Sequence, residues 1–195
     1  IMEKDNLWVV SDEIHCDLTR KGKSHIPMAK IMTDYPKLIT CMAPTKTFNL
    51  AGMAFSNIII RDQATREEFR ARDKLFGMVN PLSLTAAKAA YDKGGPWLEE
   101  LRDYLDGNFA FVQEFLSLEL PEAVMNISDA TYLAWVDLGR CLPDVADLPG
   151  FFANEAGVLL EGGNSLFVDN AEGYIRLNLA MPRSMIQTGL ERIRD

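Results

Sequence analysis

Two short and nearly unbroken apolar runs, Leu7-Trp8-Val9-Val10 and Leu38-Ile39-Thr40-Cys41-Met42, constrain this chain most. Each is too short for a helix and too continuous for a strand with one wet face. Both read as strands buried on two sides, as in a parallel sheet. Each run ends abruptly in polar residues: Ser11-Asp12-Glu13-Ile14-His15 after the first, Pro44-Thr45-Lys46-Thr47 after the second. Open α/β sheets bind ligands at the carboxyl ends of their strands. Asp12 with His15, and Lys46, are therefore the places where chemistry is expected.

The remaining pattern extends this plan. Phe55 to Ile60 reads as a third strand, closed by Arg61-Asp62. Thr65 to Phe76 reads as a helix with Glu67 and Glu68 in its first turn, where the helix dipole favours them. Ser83 to Tyr91 is an alanine-rich helix. Gly94-Gly95-Pro96 then breaks the chain, and Pro96 suits the first turn of a long helix to about Leu118. Along it Leu98, Leu101, Leu105, Phe109, Val112, Phe115 and Leu116 recur at helical spacing. Beyond Pro121, strands are expected at Tyr132–Asp137, Val158–Leu160 and Tyr174–Leu179. Helices are expected at Leu148–Ala156, stopped by Gly157, and at Ser184–Ile193. Glu161-Gly162-Gly163-Asn164 reads as a turn, and Tyr132 and Trp135 as core. Gly94-Gly95 divides the chain into an alternating α/β part, residues 1–94, and a smaller α+β part, residues 95–195.

Composition narrows the classes. Of 195 residues, 48% are apolar and 25% charged, which excludes a disordered or low-complexity chain. Twenty basic against 28 acidic residues give a net charge of −8, unsuited to binding a nucleic-acid backbone. Cys16, Cys41 and Cys141 are far apart and odd in number, so neither a disulfide framework nor a metal site is expected. A reducing cytoplasm fits them. No apolar run reaches the ~18 residues of a membrane span. The chain opens on Ile1-Met2 and enters a strand almost at once, as a piece of a longer protein would.

An amine and a carboxylate at neighbouring strand ends match the needs of one cofactor. An aldehyde requires a lysine amine for a Schiff base, and a pyridine ring requires a carboxylate to keep its nitrogen protonated. That cofactor is pyridoxal 5′-phosphate (PLP). By such logic alone the bland readings compete: an Asp after a strand is most often a turn residue, and a loop Lys is usually solvated.

The longer motifs shift that balance. Ser11-Asp12-Glu13-Ile14-His15, with Ala43-Pro44-Thr45-Lys46-Thr47-Phe48-Asn49-Leu50-Ala51-Gly52, resembles the aspartate and lysine motifs of fold-type I PLP enzymes. Within the class I/II aminotransferase superfamily it resembles most the MalY/PatB-type cystathionine β-lyases, or C-S lyases. Ala89-Ala90-Tyr91 before Gly94 and Trp97, Thr131 to Asp137, and Tyr174 to Ala180 agree in order. The resemblance covers nearly the whole chain and matches the C-terminal half of such an enzyme. It implies the end of the large, mainly parallel-sheet domain followed by the small α+β domain.

The resemblance also implies roles. Lys46 matches the Schiff-base lysine that moves the Cα proton, and Asp12 the carboxylate at the pyridinium nitrogen. His15 falls near the cofactor ring, and Thr45, with Thr47 as a second candidate, at the cofactor phosphate. Arg176 matches the arginine that grips the substrate α-carboxylate; on its own it reads as a surface ion pair. The chain departs from many relatives at Ala43, where they have serine, and at Ala54, where an arginine holds the phosphate. The implied activity is β-elimination from cystathionine or another S-substituted cysteine, by a homodimer without nucleic-acid or membrane partners. An aminotransferase, a PLP-sensing regulatory domain and an inactive remnant are the alternatives.

Overall fold

Strand β1 (Val9–Asp12) lies parallel to β2 (Leu38–Met42), in register from Val9 opposite Leu38 to Asp12 opposite Cys41. Strand β3 (Asn57–Ile60) pairs antiparallel on the other side of β2, with Ile39 opposite Ile60. The three-stranded sheet is thus mixed, in the order β1-β2-β3. Leu38, Thr40 and Ile60 are buried in it. The first apolar run is not buried on two faces as its composition predicts: Trp8 is 53% and Val10 65% exposed. The reason is position, since among the described residues β1 is the outer strand and pairs only with β2. The strand also starts later than the run and carries on into the polar segment. There the Glu13 amide continues the ladder by donating to the Cys41 carbonyl at 2.8 Å.

The structure, a computed structural model, describes residues 1–72, 79–166 and 170–195. By its internal packing the chain divides into two units, Ile1–Leu101 and Arg102–Asp195. In the first, α1 (Met28–Ile31) and α2 (Pro44–Thr47) are single turns. Helix α3 (Gln63–Arg72) begins earlier than the sequence pattern predicts, because the Asp62 carboxylate accepts from the Thr65 amide at 2.8 Å and caps the helix there. Glu67 and Glu68 consequently fall beyond the first turn. The predicted end of this helix, at Phe76, lies outside the described residues. Asn80 caps α4 (Pro81–Lys93), accepting from the Leu82 amide at 2.9 Å. Helix α5 (Gly95–Glu119) follows directly, close to the predicted bounds.

The second unit is built on a four-stranded antiparallel sheet. Its strands are β4 (Val124–Met125), β5 (Leu133–Asp137), β6 (Glu161–Gly162) and β7 (Tyr174–Asn178), in the order β4-β5-β7-β6. Phe109, Val112 and Leu116 of α5, Ala134 and Val136 of β5, and Ile175 of β7 form its core. Leu148 and Phe152 join them from α6 (Leu148–Phe151) and the wider turn Phe152–Ala156 that extends it. Ile186 and Leu190 do so from α8 (Arg183–Arg194). Gly157, at φ 64°, ends the α6 segment as predicted. Val158–Leu160 is not a strand. The Val158 amide donates to the Phe152 carbonyl at 3.0 Å as part of the helix stop, and Leu159 is 91% exposed. Pairing with β7 begins only at Glu161. The predicted turn at 161–164 is instead β6 followed by α7 (Gly163–Leu166). Gly163 permits this path, since a Cβ there would meet the Ala171 carbonyl at 2.0 Å. Tyr132 and Trp135 are half-buried rather than core, and the Trp135 ring stacks on Tyr174 at 5.3 Å. Among the described residues no helix is long and apolar enough to cross a membrane.

One buried amide fastens this unit. Asn108 of α5 is fully buried and donates to the carbonyls of Leu179 and Met181 at 2.9 and 3.1 Å. It accepts from Arg183 Nε at 3.1 Å. The segment that leaves β7 is therefore tied to α5 by a side chain that water cannot reach. Asn108→Ala strands two carbonyls and is expected to cost about 2–4 kcal/mol. In urea denaturation the midpoint should fall while the slope is unchanged.

Candidate active site

The parallel pairing of β1 with β2 sends both chains out at one edge of the sheet, and the polar groups expected there do emerge there. Asp12, last in β1, is exposed, and its Oδ1 accepts from the Ile14 amide at 3.2 Å. His15 follows in the turn, half-buried, its carbonyl accepting from the Leu18 amide. Lys46 stands exposed on α2, immediately after β2. Thr45 beside it is buried. Thr47 is fully buried and its hydroxyl donates to Asp17 at 3.1 Å, so this threonine is committed within the fold rather than offered to a phosphate. Ala43 is buried, and Ala54 adopts a left-handed conformation at φ 45°. Neither can supply a hydrogen bond from its side chain.

The turn that carries Lys46 is held from below. The Phe48 amide donates to the Pro44 carbonyl at 2.9 Å and the Leu50 amide to the Thr45 carbonyl at 2.8 Å. The Phe48 ring packs edge-on to Tyr91 at 6.5 Å and against Trp97 at 5.9 Å. Gly94 closes this socket: a Cβ there would lie 2.4 Å from the Phe48 ring. Tyr91, Gly94 and Trp97, which the sequence offered only as a matching stretch, thus grip the residue two places beyond Lys46.

Sequence reasoning missed the polar centre beneath Asp12. The Glu13 side chain is 3% exposed and its carboxylate takes three hydrogen bonds. Ser11 Oγ donates at 3.0 Å, the Met28 amide at 2.9 Å and His25 Nε2 at 2.8 Å. Burial alone would raise the Glu13 pKa, but the bonds from His25, Met28 and Ser11 together hold it below the ordinary carboxylate value. The sequence marks His25 only by its place in Ser24-His25-Ile26-Pro27; nothing local indicates a partner twelve residues away. Cys16 is the opposite case. Burial first, then the charge of Asp17, push its thiol up to about 11, so it is no nucleophile at neutral pH.

Arg176 belongs to the second unit, in the middle of β7, opposite Trp135 on one side and Glu161 on the other. Its Nε donates to Glu161 Oε2 at 2.7 Å and its Nη2 meets the same oxygen. The ion pair expected from the bland reading is therefore present. It occupies the Nε edge of the guanidinium.

Comparison with known proteins agrees along the length of the chain. Residues 1–193 match the model of the family described as aminotransferase class I and II. Cystathionine β-lyase PatB of Bacillus subtilis is 42% identical over 190 residues, covering 95% of this chain and 49% of that protein. A PLP-bound C-S lyase from Staphylococcus hominis superposes with a TM-score of 0.93 at 47% identity, over 99% of this chain and 50% of that one. Cystalysin from Treponema denticola, whose structure contains pyridoxal 5′-phosphate, gives 0.93 at 36% identity over 99% and 50%. The chain spans about half the length of the curated relatives it matches.

Two measurements probe the groups beside Asp12. Because the folded Glu13 carboxylate titrates below 4.5, the unfolded chain binds the proton first as pH falls. The stability this carboxylate contributes is complete above that value and is lost as pH drops through the lower, folded one. Urea midpoints of the parent and Glu13→Gln should therefore differ by a constant amount from pH 7 to about pH 5 and converge below it. Separately, iodoacetamide at pH 8 should modify Cys16 at least about tenfold more slowly than an unhindered peptide cysteine.

Proposed function

The chain belongs to the aminotransferase class I and II family and has its fold-type I α/β architecture. From that premise we propose that the protein carrying it is a PLP-dependent carbon–sulfur β-lyase of the cystathionine β-lyase type. The observation that carries this reading is the shared edge at which Asp12 and Lys46 emerge from parallel neighbours. A primary amine, a carboxylate and a buried threonine hydroxyl form a donor set that fits the aldehyde, the ring nitrogen and the phosphate of this cofactor. Lys46 would anchor it, Asp12 would face the ring nitrogen, Thr45 would serve the phosphate and His15 would lie near the ring. When bound, the cofactor supplies an electron sink for a carbanion at the substrate Cα.

The protein's own groups do the rest. The Arg176 guanidinium binds the substrate α-carboxylate and orients the amino acid. The Lys46 amine removes the proton from Cα. The Asp12 carboxylate would face the ring nitrogen and favour its protonated form. Loss of the Cα proton expels a thiolate from Cβ, and the amino acid remnant hydrolyses to pyruvate and ammonia. The substrate is a sulfur-containing amino acid, cystathionine or another S-substituted cysteine. Support for lyase over amino transfer comes from the PatB and C-S lyase relatives. The active protein is a homodimer working in the cytoplasm.

Pyruvate release from cystathionine, with PLP present and no 2-oxo acid added, tests the reading in the protein at its full natural length. Lys46→Ala should lower the rate by at least about 10³-fold. Arg176→Ala should raise KM by about 10- to 100-fold with a smaller change in kcat. Turnover that occurs only with an added 2-oxo acid would assign amino transfer instead.

A further inference from the structure

The pleat of β1 couples two carboxylates with opposite surroundings. Asp12 points outward at the sheet edge and Glu13 inward, where it is the buried centre of a three-donor cluster. The donors come from three places: Ser11 on the same strand, His25 in the crossing loop, and the Met28 amide at the start of α1. The Glu13 backbone is fixed as well, its amide donating to Cys41 at 2.8 Å and its carbonyl accepting from the Cys16 amide at 3.0 Å. Asp12 and His15 lie on either side of this fixed residue. A buried carboxylate without its donors is strongly unfavourable, so the cluster forms as a unit or not at all. In the folded chain Glu13 stays ionised, consistent with its lowered pKa.

We propose that Glu13 is a positioning residue, whose carboxylate, clamped by Ser11, His25 and the Met28 amide, sets the backbone that aims Asp12 at the cofactor ring nitrogen. The proposal rests on the reading of this edge as a PLP site. Glu13 touches no reacting atom; it acts through Asp12. A glutamine at this position keeps the size but removes the charge and puts an amide NH₂ in place of one oxygen, so either the Met28 amide loses its acceptor or His25 must present an unprotonated ring nitrogen.

The test uses the full-length protein loaded with PLP, as parent, Glu13→Gln, His25→Asn and the double variant. The readouts are the cofactor dissociation constant, and the wavelength and pH midpoint of the visible band of the lysine-bound cofactor. Both single variants are expected to weaken cofactor binding by about tenfold and to move the band or its pH midpoint. The double variant should be no worse than the more affected single, because both break one cluster. A residue that merely stabilises the fold would change the amount of folded protein but not the spectrum of the loaded fraction. If Glu13→Gln does not fold, His25→Asn, altered at a one-third exposed side chain, decides the question. Folded variants with the parent's spectrum and affinity overturn the positioning role while leaving the cofactor site intact. A parent with no band that depends on Lys46 overturns the PLP reading and this proposal together.

Discussion

Parallel pairing between β1 and β2 is the constraint on which the candidate site depends. Two chains leaving a sheet in one direction bring residues far apart in sequence to a common edge, and Asp12 opposite Cys41 fixes how far along that edge each emerges. A slip of one residue would turn every side chain of β1 to the other face. Asp12 would then leave the outward edge, and Glu13 would leave its three donors. Alternation along the strand also explains why Ser11 reaches Glu13: residues two apart share a face.

The two ends of the proposed site are held by different physics, and the difference suits their tasks. The strand end that carries Asp12 is fixed by charge-assisted hydrogen bonds around a buried carboxylate, which are directional and tolerate little displacement. The turn that carries Lys46 is fixed by packing of Phe48 among Tyr91, Trp97 and Gly94. Packing of this kind secures the backbone while the exposed lysine stem keeps its rotamers. A carboxylate that must face one ring atom needs the first kind of support. An amine that binds an aldehyde and later works on a proton at a neighbouring carbon needs the second.

What the sequence made legible was whatever depends on local pattern. Apolar runs followed by abrupt polarity located both strand ends, and helical spacing from Leu98 to Leu116 described α5 nearly to its bounds. The failures have physical causes in pairing and side-chain reach. Trp8 and Val10 have the composition of buried residues, but burial depends on what lies beside a strand, and among the described residues β1 is outermost. Val158-Leu159-Leu160 has strand composition, yet its amide is spent on the stop of the preceding helix. The start of α3 was set by one Asp62 carboxylate rather than by the acidic pair further along. The Glu13–His25 contact was invisible for a different reason. It joins a strand to a loop, and no periodicity relates them.

Arg176 shows how an observed ion pair and a proposed substrate contact are compatible. Its place in β7 sets it directly opposite Glu161 across a short antiparallel pair, so an ion pair there is a consequence of register. A guanidinium has five N–H donors arranged on two edges. Glu161 takes the edge formed by Nε and Nη2 through a single oxygen. Such a contact lowers the rotational freedom of a long side chain and gives the guanidinium plane a fixed orientation. The edge that remains is the one suited to a second carboxylate. For the proposed substrate contact the neighbouring acid is therefore a support and not a competitor. A partly exposed ion pair between inner strand β7 and its neighbour β6 contributes little to stability, which leaves orientation as its main physical effect.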